Sequence, residues 1–107
     1  MTGIFILSLD TEIAWGTYGA RDIARQRANF DNYRDLVRRL IDLLDDTAIP
    51  ATWAVVGHLF VAPGDQPPPL IAPHYSWAAA PDSARAPDPA HPDWYHAPDV
   101  IAMIRAA

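Results

Sequence analysis

The sequence predicts an α/β fold built around a parallel sheet. A nearly unbroken apolar segment at residues 3–9 is followed by an amphipathic segment and then by a second apolar segment at residues 51–56. Strand, helix and strand in this order form a βαβ unit, whose strands run parallel and whose crossover is right-handed. Half of the 107 residues are hydrophobic, which is enough for one small core.

Residues 3–9 are predicted to form a buried strand. The segment is short and does not alternate between apolar and polar residues, as is typical of parallel strands covered on both faces. Residues 11–28 are expected to form a long loop that contains Gly16 and Gly19. Long loops at the carboxyl ends of strands often carry function.

A helix is predicted over residues 31–46. Its apolar side chains recur at helical spacing and form one stripe, made of Tyr33, Leu36, Val37, Leu40, Ile41 and Leu44. Asn29 or Asp31 is expected to cap the start of this helix. The second strand follows Pro50 and ends at Gly57.

A proline-rich insert is predicted at residues 61–98. Ten of the 11 prolines fall there, and the segment has neither helical nor strand periodicity. Its aromatic residues are too many for a plain linker, and Trp94 and Tyr95 are expected to anchor it by packing. A short helix is predicted at residues 99–106, with Pro98 at a favourable starting position.

Composition excludes several classes of function. The net charge is −5, with 13 acids against 8 bases, which argues against a nucleic-acid surface. Cysteine is absent, so disulfides and thiolate metal sites are excluded. The sequence shows neither a secretory signal nor an apolar stretch long enough to span a bilayer, so a cytoplasmic protein without a membrane partner is expected. The sequence is compatible with a homo-oligomer.

Asp10 and Glu12 are the most informative residues of the chain. They alternate with Thr11 directly after the first apolar segment, so an extended backbone points both carboxylates to one side. Two adjacent like charges need a cation or a shared proton, and carboxylate oxygen binds both zinc and hard cations. The alternative is that Asp10 starts a turn and Glu12 is solvated, and spacing alone does not decide between the two.

The histidines are weaker candidates. His58 follows the second strand and could be a ligand, although a loop histidine with a half-buried ring is favoured. His91 and His96 are five residues apart with Pro92 between them, which does not suit a helical metal-binding pair and favours a surface position. His74 is interpreted as a loop residue.

Two residues are candidates for substrate contact. Trp15 lies just after the acid pair and could offer a flat face to a sugar ring, whereas Trp53 is expected in the core. Arg21, with two further arginines nearby, could hold an anionic group, and a solvated charged face is the commoner explanation.

Residues 7–16 and 49–60, supported by residues 94–101, resemble the polysaccharide deacetylases. These proteins carry the NodB-homology domain and form carbohydrate esterase family four, and the resemblance is to the branch with a Ser-Leu-Asp-x-Glu first motif. It implies that residues 1–107 are the N-terminal part of an irregular (β/α) barrel of about seven strands, with the site at their carboxyl ends.

The resemblance also implies a chemistry. The expected activity is metal-dependent hydrolysis of non-peptide carbon–nitrogen amide bonds, as N-deacetylation of a polysaccharide or sugar. Asp10 is the implied catalytic base and Glu12 the candidate ligand of a divalent metal, expected to be zinc. Many members have a second Asp where this chain has Thr11.

The family's His-Ser/Thr-x-x-His motif does not occur in these 107 residues. The remaining histidine ligands are therefore expected beyond residue 107, and the chain alone is expected to be inactive. Two alternatives stay open: a non-catalytic carbohydrate-binding or scaffold module, and an allantoinase-like cyclic amidase of the same superfamily.

Overall fold

The computed structural model describes residues 3–17, 23–65 and 88–107. These residues contain two strands, β1 (Ser8–Thr11) and β2 (Thr52–Val55). They also contain three α-helices, α1 (Ile23–Asp31), α2 (Tyr33–Thr47) and α3 (Pro98–Ala106). Short 3-10 helices lie at Ile13–Thr17, Gly57–Phe60 and Pro92–Trp94.

β1 and β2 pair in parallel, which confirms the predicted strand–helix–strand unit. Asp10 lies beside Ala54 and Thr11 beside Val55. The pairing continues past the strand end, where the Val56 amide donates to the Thr11 carbonyl at 3.1 Å. The carboxyl ends of both strands therefore lie at the same edge of the sheet.

The prediction that this α/β chain forms part of a barrel is wrong for the residues that the structure describes. Their two strands form an open sheet in which each strand pairs on one side only. A barrel closes when every strand is paired on both sides. The described elements are instead mostly helical, and they pack beside the strand pair.

The expectation of a buried strand at residues 3–9 is also wrong. β1 begins only at Ser8, and Ile4, Phe5 and Ile6 are 89%, 79% and 77% exposed. Apolar residues are buried only where other elements cover them, and no described element covers these three side chains. The apolar run therefore correctly predicted a strand in this region. It predicted the bounds and the burial of that strand wrongly.

The expected long loop at residues 11–28 is replaced by structure. A 3-10 helix and α1 occupy its described parts, and α1 is separated from α2 by Asn32 alone. The predicted capping by Asn29 or Asp31 is wrong, because Asn32 holds the N-cap position. The side-chain amide of Asn32 donates to the Ala28 carbonyl at 2.8 Å. The predicted helix at 31–46 is confirmed as α2, apart from its first two residues.

The core gathers the end of the proline-rich insert against α3 and the 3-10 helices. Trp94, Tyr95, Leu59 and Val100 are at most 2% exposed. The Trp94 indole donates to the Asp31 carboxylate at 3.0 Å, which joins this segment to α1. The predicted anchoring by Trp94 and Tyr95 is therefore confirmed, as is a last helix that starts at Pro98.

None of the helices in the described parts of the chain combines the length and the apolar character needed to cross a lipid bilayer.

Candidate active site

Asp10 and Glu12 line one open cleft at the carboxyl end of β1. Its volume is about 740 Å³, within the range of roughly 300–1,000 Å³ that is usual for small-molecule sites. The end of α1 and the first two turns of α2 form the other wall. The lining residues are Asp10, Glu12, Ile13, Ala28, Asn29, Phe30, Asn32, Tyr33, Asp35, Leu36 and Arg39.

The alternation at the strand end places both acids toward the cleft. Asp10 and Glu12 are exposed, whereas Thr11 between them is fully buried. The prediction that the two carboxylates share one side is therefore confirmed. Thr11 faces the interior and does not line the cleft.

The chain turns sharply after Glu12. Ile13 has a φ of 49°, a left-handed conformation that is strained for a β-branched residue. Such strain costs on the order of 1–3 kcal/mol and is concentrated at functional sites. The turn is closed by the Trp15 amide, which donates to the Glu12 carbonyl at 3.1 Å.

Gly16 has no side chain, and the Glu12 carboxylate occupies the space that a side chain there would fill. A Cβ atom at position 16 would collide with Glu12 Oε2 and would lie 3.2 Å from Glu12 Cβ. The Glu12 side chain therefore lies against the backbone of Gly16, four residues further along the chain.

Tyr33, the first residue of α2, also lines the cleft. Burial raises the pKa of this half-buried phenol, the nearby Thr11 hydroxyl lowers it in part, and the negative charge of Glu12 raises it further. The phenol is therefore protonated at neutral pH and can donate a hydrogen bond. Sequence reasoning had placed Tyr33 only in the apolar stripe of the helix.

The other cleft residues that sequence reasoning missed lie on α1 and α2. Asn32, Asp35 and Arg39 recur at spacings of three and four, so they share one face of the helix. That spacing was readable from the sequence. The sequence did not show that this face lines a cleft, because the cleft forms only when α1 and α2 pack beside β1.

The structure does not bring Trp15 to the cleft. Its indole donates to the Tyr95 carbonyl at 2.9 Å, and its ring centroid lies 4.6 Å from that of His58. Half-buried in this way, Trp15 packs between neighbours, and its predicted contact with substrate stays a prediction. His58 has the half-buried ring that was favoured, and Arg21 lies outside the described residues.

His91 and His96 are both partly exposed, as the predicted surface position requires, and each ring is also packed on one side. The His91 ring stacks on Trp94 with centroids 3.8 Å apart, and its Nε2 lies 2.9 Å from Arg27 Nη2. His96 Nδ1 lies 3.1 Å from the Val61 carbonyl oxygen. Both rings are held by packing, away from the cleft, and His74 lies outside the described residues.

The cleft offers ligand atoms of a type that binds metals, but too few of them for a catalytic metal site. Carboxylate oxygens from Asp10 and Glu12 suit zinc or a hard divalent cation. A catalytic zinc site has three protein ligands, and the described residues include no group of three or more His, Cys, Asp or Glu side chains that could hold a metal. No reaction step is therefore assigned to a metal.

Comparison of the chain with protein-family models, with curated proteins and with solved structures found no match.

Proposed function

We propose that this chain supplies the carboxylates of a hydrolase site for non-peptide carbon–nitrogen amide bonds, and that the reaction is N-deacetylation of a sugar or polysaccharide. The observation that carries the proposal is the shared cleft of Asp10 and Glu12 at the end of a parallel strand. The resemblance of residues 7–16 and 49–60 to the deacetylases supports the same reaction.

Asp10 is the proposed general base. Its exposed carboxylate can accept a proton from a water molecule in the cleft as the water oxygen attacks the amide carbon. A carbon–oxygen bond forms and the carbon–nitrogen bond breaks. The proton then passes from Asp10 to the departing amine, so that acetate and a free amino group result.

Glu12 is the proposed protein ligand of a divalent cation, with zinc as the expected ion. Such an ion would supply polarisation of the acyl oxygen and a lowered pKa of a bound water. One or two carboxylates hold zinc weakly, so we expect the 107 residues alone to be inactive. Deacetylation by this chain by itself would contradict that expectation.

The test of the base is Asp10→Asn in the protein as its gene encodes it, assayed for acetate release from N-acetylchitooligosaccharides with zinc present. Loss of a general base reduces kcat by roughly 10²- to 10⁴-fold, and we expect a loss in that range. Asp42→Asn is the matched control, since Asp42 is exposed on α2 and lies outside the cleft. An Asp10→Asn variant as active as this control would remove Asp10 from the reaction.

A second candidate function is non-catalytic binding of carbohydrate. The observation in its favour is the wall of α1 and α2, where Asn29, Asn32 and Arg39 offer hydrogen bonds suited to sugar hydroxyls beside an incomplete metal donor set. Glu12→Ala separates the two candidates. Loss of zinc together with acetate release supports the hydrolase, whereas unchanged oligosaccharide binding with no acetate release in either form supports the binding module.

A further inference from the structure

We propose that His91 is the pH-sensitive part of a clasp that holds α1 against the end of the proline-rich insert. The clasp consists of Arg27 and Asp31 on α1 and of His91 and Trp94 on the insert. Its contacts join residues that are 64 and 63 positions apart in the sequence. The clasp does not depend on the proposed reaction, because it determines how α1, which forms one wall of the cleft, is held in place.

Trp94 is the fixed centre of the clasp. It is only 2% exposed, and its indole nitrogen donates to Asp31 Oδ1 at 3.0 Å. The Phe30 ring packs against the indole with centroids 5.3 Å apart. The His91 ring stacks on the same indole, with centroids 3.8 Å apart and the two planes within 5° of parallel. Stacking therefore places the imidazole ring beside α1.

Arg27 determines the protonation state that this ring needs. Arg27 Nη2 lies 2.9 Å from His91 Nε2. A guanidinium keeps its charge and can only donate, so Nε2 must accept the hydrogen bond. An imidazole nitrogen accepts only in the neutral ring, whose single proton then lies on Nδ1. A protonated ring would turn an N–H group and a positive charge toward Arg27, and the contact would be lost.

Asp31 is the acid of α1 that belongs to the clasp. Its Oδ1 accepts the indole hydrogen bond, and its Oδ2 lies 3.9 Å from Arg27 Nε. Both carboxylate oxygens therefore face partners other than His91.

The acids on the insert side also have other partners. The Asp88 carboxylate accepts from the Ala90 amide at 2.9 Å, and the Asp93 carboxylate lies 3.8 Å from Arg34 Nη1. Within the described parts of the chain, no ion pair gives His91 a carboxylate that would hold the charged ring in place. Protonation of His91 therefore weakens the clasp.

The clasp matters for the cleft because α1 has few other anchors. Of the side chains of α1 that the structure describes, Phe30 alone is buried, and its ring packs on Trp94. The same helix supplies Ala28, Asn29 and Phe30 to the wall of the cleft. A change in the clasp is therefore expected to reach that wall.

Histidine changes its charge between about pH 5 and about pH 8. We expect the wall to lie as described at the upper end of this range and to shift when His91 takes up a proton. The Arg27 side chain is 59% exposed, so solvent screens its contact. The expected change is therefore a local displacement of α1 and not unfolding of the protein.

The first test observes the ring directly in the full chain. Histidine labelled with nitrogen-15 reports which ring nitrogen carries the proton, and the signals of His91 are those that disappear in His91→Phe. At about pH 8 we expect the proton on Nδ1, because Nε2 accepts from Arg27. A His91 ring with its proton on Nε2 at that pH would overturn the proposal.

The second test follows the wall of the cleft through the backbone amide signals of Asn29 and Phe30. We expect these signals to move as the pH falls from about 8 to about 5. Most of the movement should disappear in His91→Phe, which keeps a ring for stacking and cannot take up a proton. Signals that do not move in the wild type, or that move equally in His91→Phe, would contradict the clasp.

Arg27→Met provides a second variant, which removes the guanidinium and leaves the stacked rings intact. We expect the same loss of movement in it. The matched control is His96→Phe, because His96 Nδ1 lies 3.1 Å from the Val61 carbonyl oxygen and takes no part in the clasp. This control should keep the full movement, and an equal loss there would remove His91 from its special role. A thermal midpoint recorded for each variant shows that it is folded.

Discussion

Two non-glycine residues in the described parts of the chain have left-handed backbone conformations, and they differ in meaning. Ile13, with a φ of 49°, redirects the chain directly after Glu12 and lines the cleft. Ala48, with a φ of 51°, ends α2, where the next amide, that of Ile49, donates to the Leu44 carbonyl at 3.1 Å. The first conformation shapes the candidate site, and the second only closes a helix.

Replacement of Ala48 by Gly is therefore expected to stabilise the protein. The left-handed conformation costs an L-residue about 1–2 kcal/mol, and the greater freedom of glycine in the unfolded chain offsets about 0.4–1 kcal/mol of that. We expect the free energy of unfolding to rise by about 0.5–1 kcal/mol, measured by urea denaturation.

The control for this change is Ala102→Gly, at an exposed position inside α3. There the backbone is helical, and glycine should lower the free energy of unfolding by about 1 kcal/mol. Equal destabilisation by both changes would contradict the left-handed conformation of Ala48.

At the scale of elements, an ion pair joins α2 to α3. Arg34 donates from Nε to Asp99 Oδ2 at 2.6 Å and from Nη2 to Asp99 Oδ1 at 3.0 Å. The same guanidinium donates from Nη1 to the Asp93 carbonyl at 3.2 Å. One arginine of α2 therefore holds both the last helix and the turn before it.

This pair makes part of the stability depend on pH. The hydrogen bond from Arg34 holds the pKa of Asp99 below its ordinary value of 3.8. A carboxyl whose pKa is lower in the folded state stabilises that state above its ordinary pKa. The stabilisation is lost as the pH falls below the ordinary pKa and through the lowered pKa of the folded state. The contribution is therefore present at neutral pH and absent in strong acid.

We expect Asp99→Asn to lower the free energy of unfolding by about 0.5 kcal/mol at pH 7, since the Asp99 side chain is 53% exposed and solvent screens the pair. The difference from the wild type should shrink as the pH falls below about 4. Urea denaturation at several pH values measures it, with Asp42→Asn as a control that forms no ion pair within the described residues. A difference that stays constant down to low pH would show that the charge of Asp99 is not its cause.

The elements also differ in how far the sequence predicted them. α2 was predictable because a helical stripe of apolar residues is a local signal, carried within four turns of chain. The bounds and burial of the first strand were not, because an apolar run shows only that a segment can be buried. α1 was missed because its residues have little apolar periodicity, and its place depends on contacts with the rest of the fold.

At the scale of the whole molecule, the segment before β1 exposes three consecutive large apolar side chains. Ile4, Phe5 and Ile6 are all more than three-quarters exposed and are consecutive in the chain. Contiguous exposed apolar side chains mark interaction surfaces or cause association. An open strand pair that continues into such a segment adds unpaired backbone groups to the same region.

Replacement of Ile4, Phe5 and Ile6 together by Ser should therefore reduce self-association of the protein. Sedimentation velocity over a range of concentrations measures the effect. The free energy of unfolding should change by no more than about 0.5 kcal/mol, because substitutions at exposed positions have small effects. Leu43→Ser, at one of the two exposed leucines of α2, is the control and should leave association unchanged.

Unchanged association of the triple variant would show that the segment is not a contact surface. A large loss of stability would show instead that the three side chains are buried.

The sequence by itself determined the order of strand, helix and strand, the parallel pairing, the course of α2 and the alternation that turns Asp10 and Glu12 to one side. These properties follow from local periodicity and from the geometry of an extended backbone. Only the tertiary structure decided that the sheet is open among the described residues, that Glu12 lies against Gly16, and that Tyr33 lines the same cleft as Glu12. It also decided that Trp15 packs on Tyr95 and His58 and does not line the cleft. Such contacts join distant residues, and they depend on how the elements pack together, which no local pattern encodes.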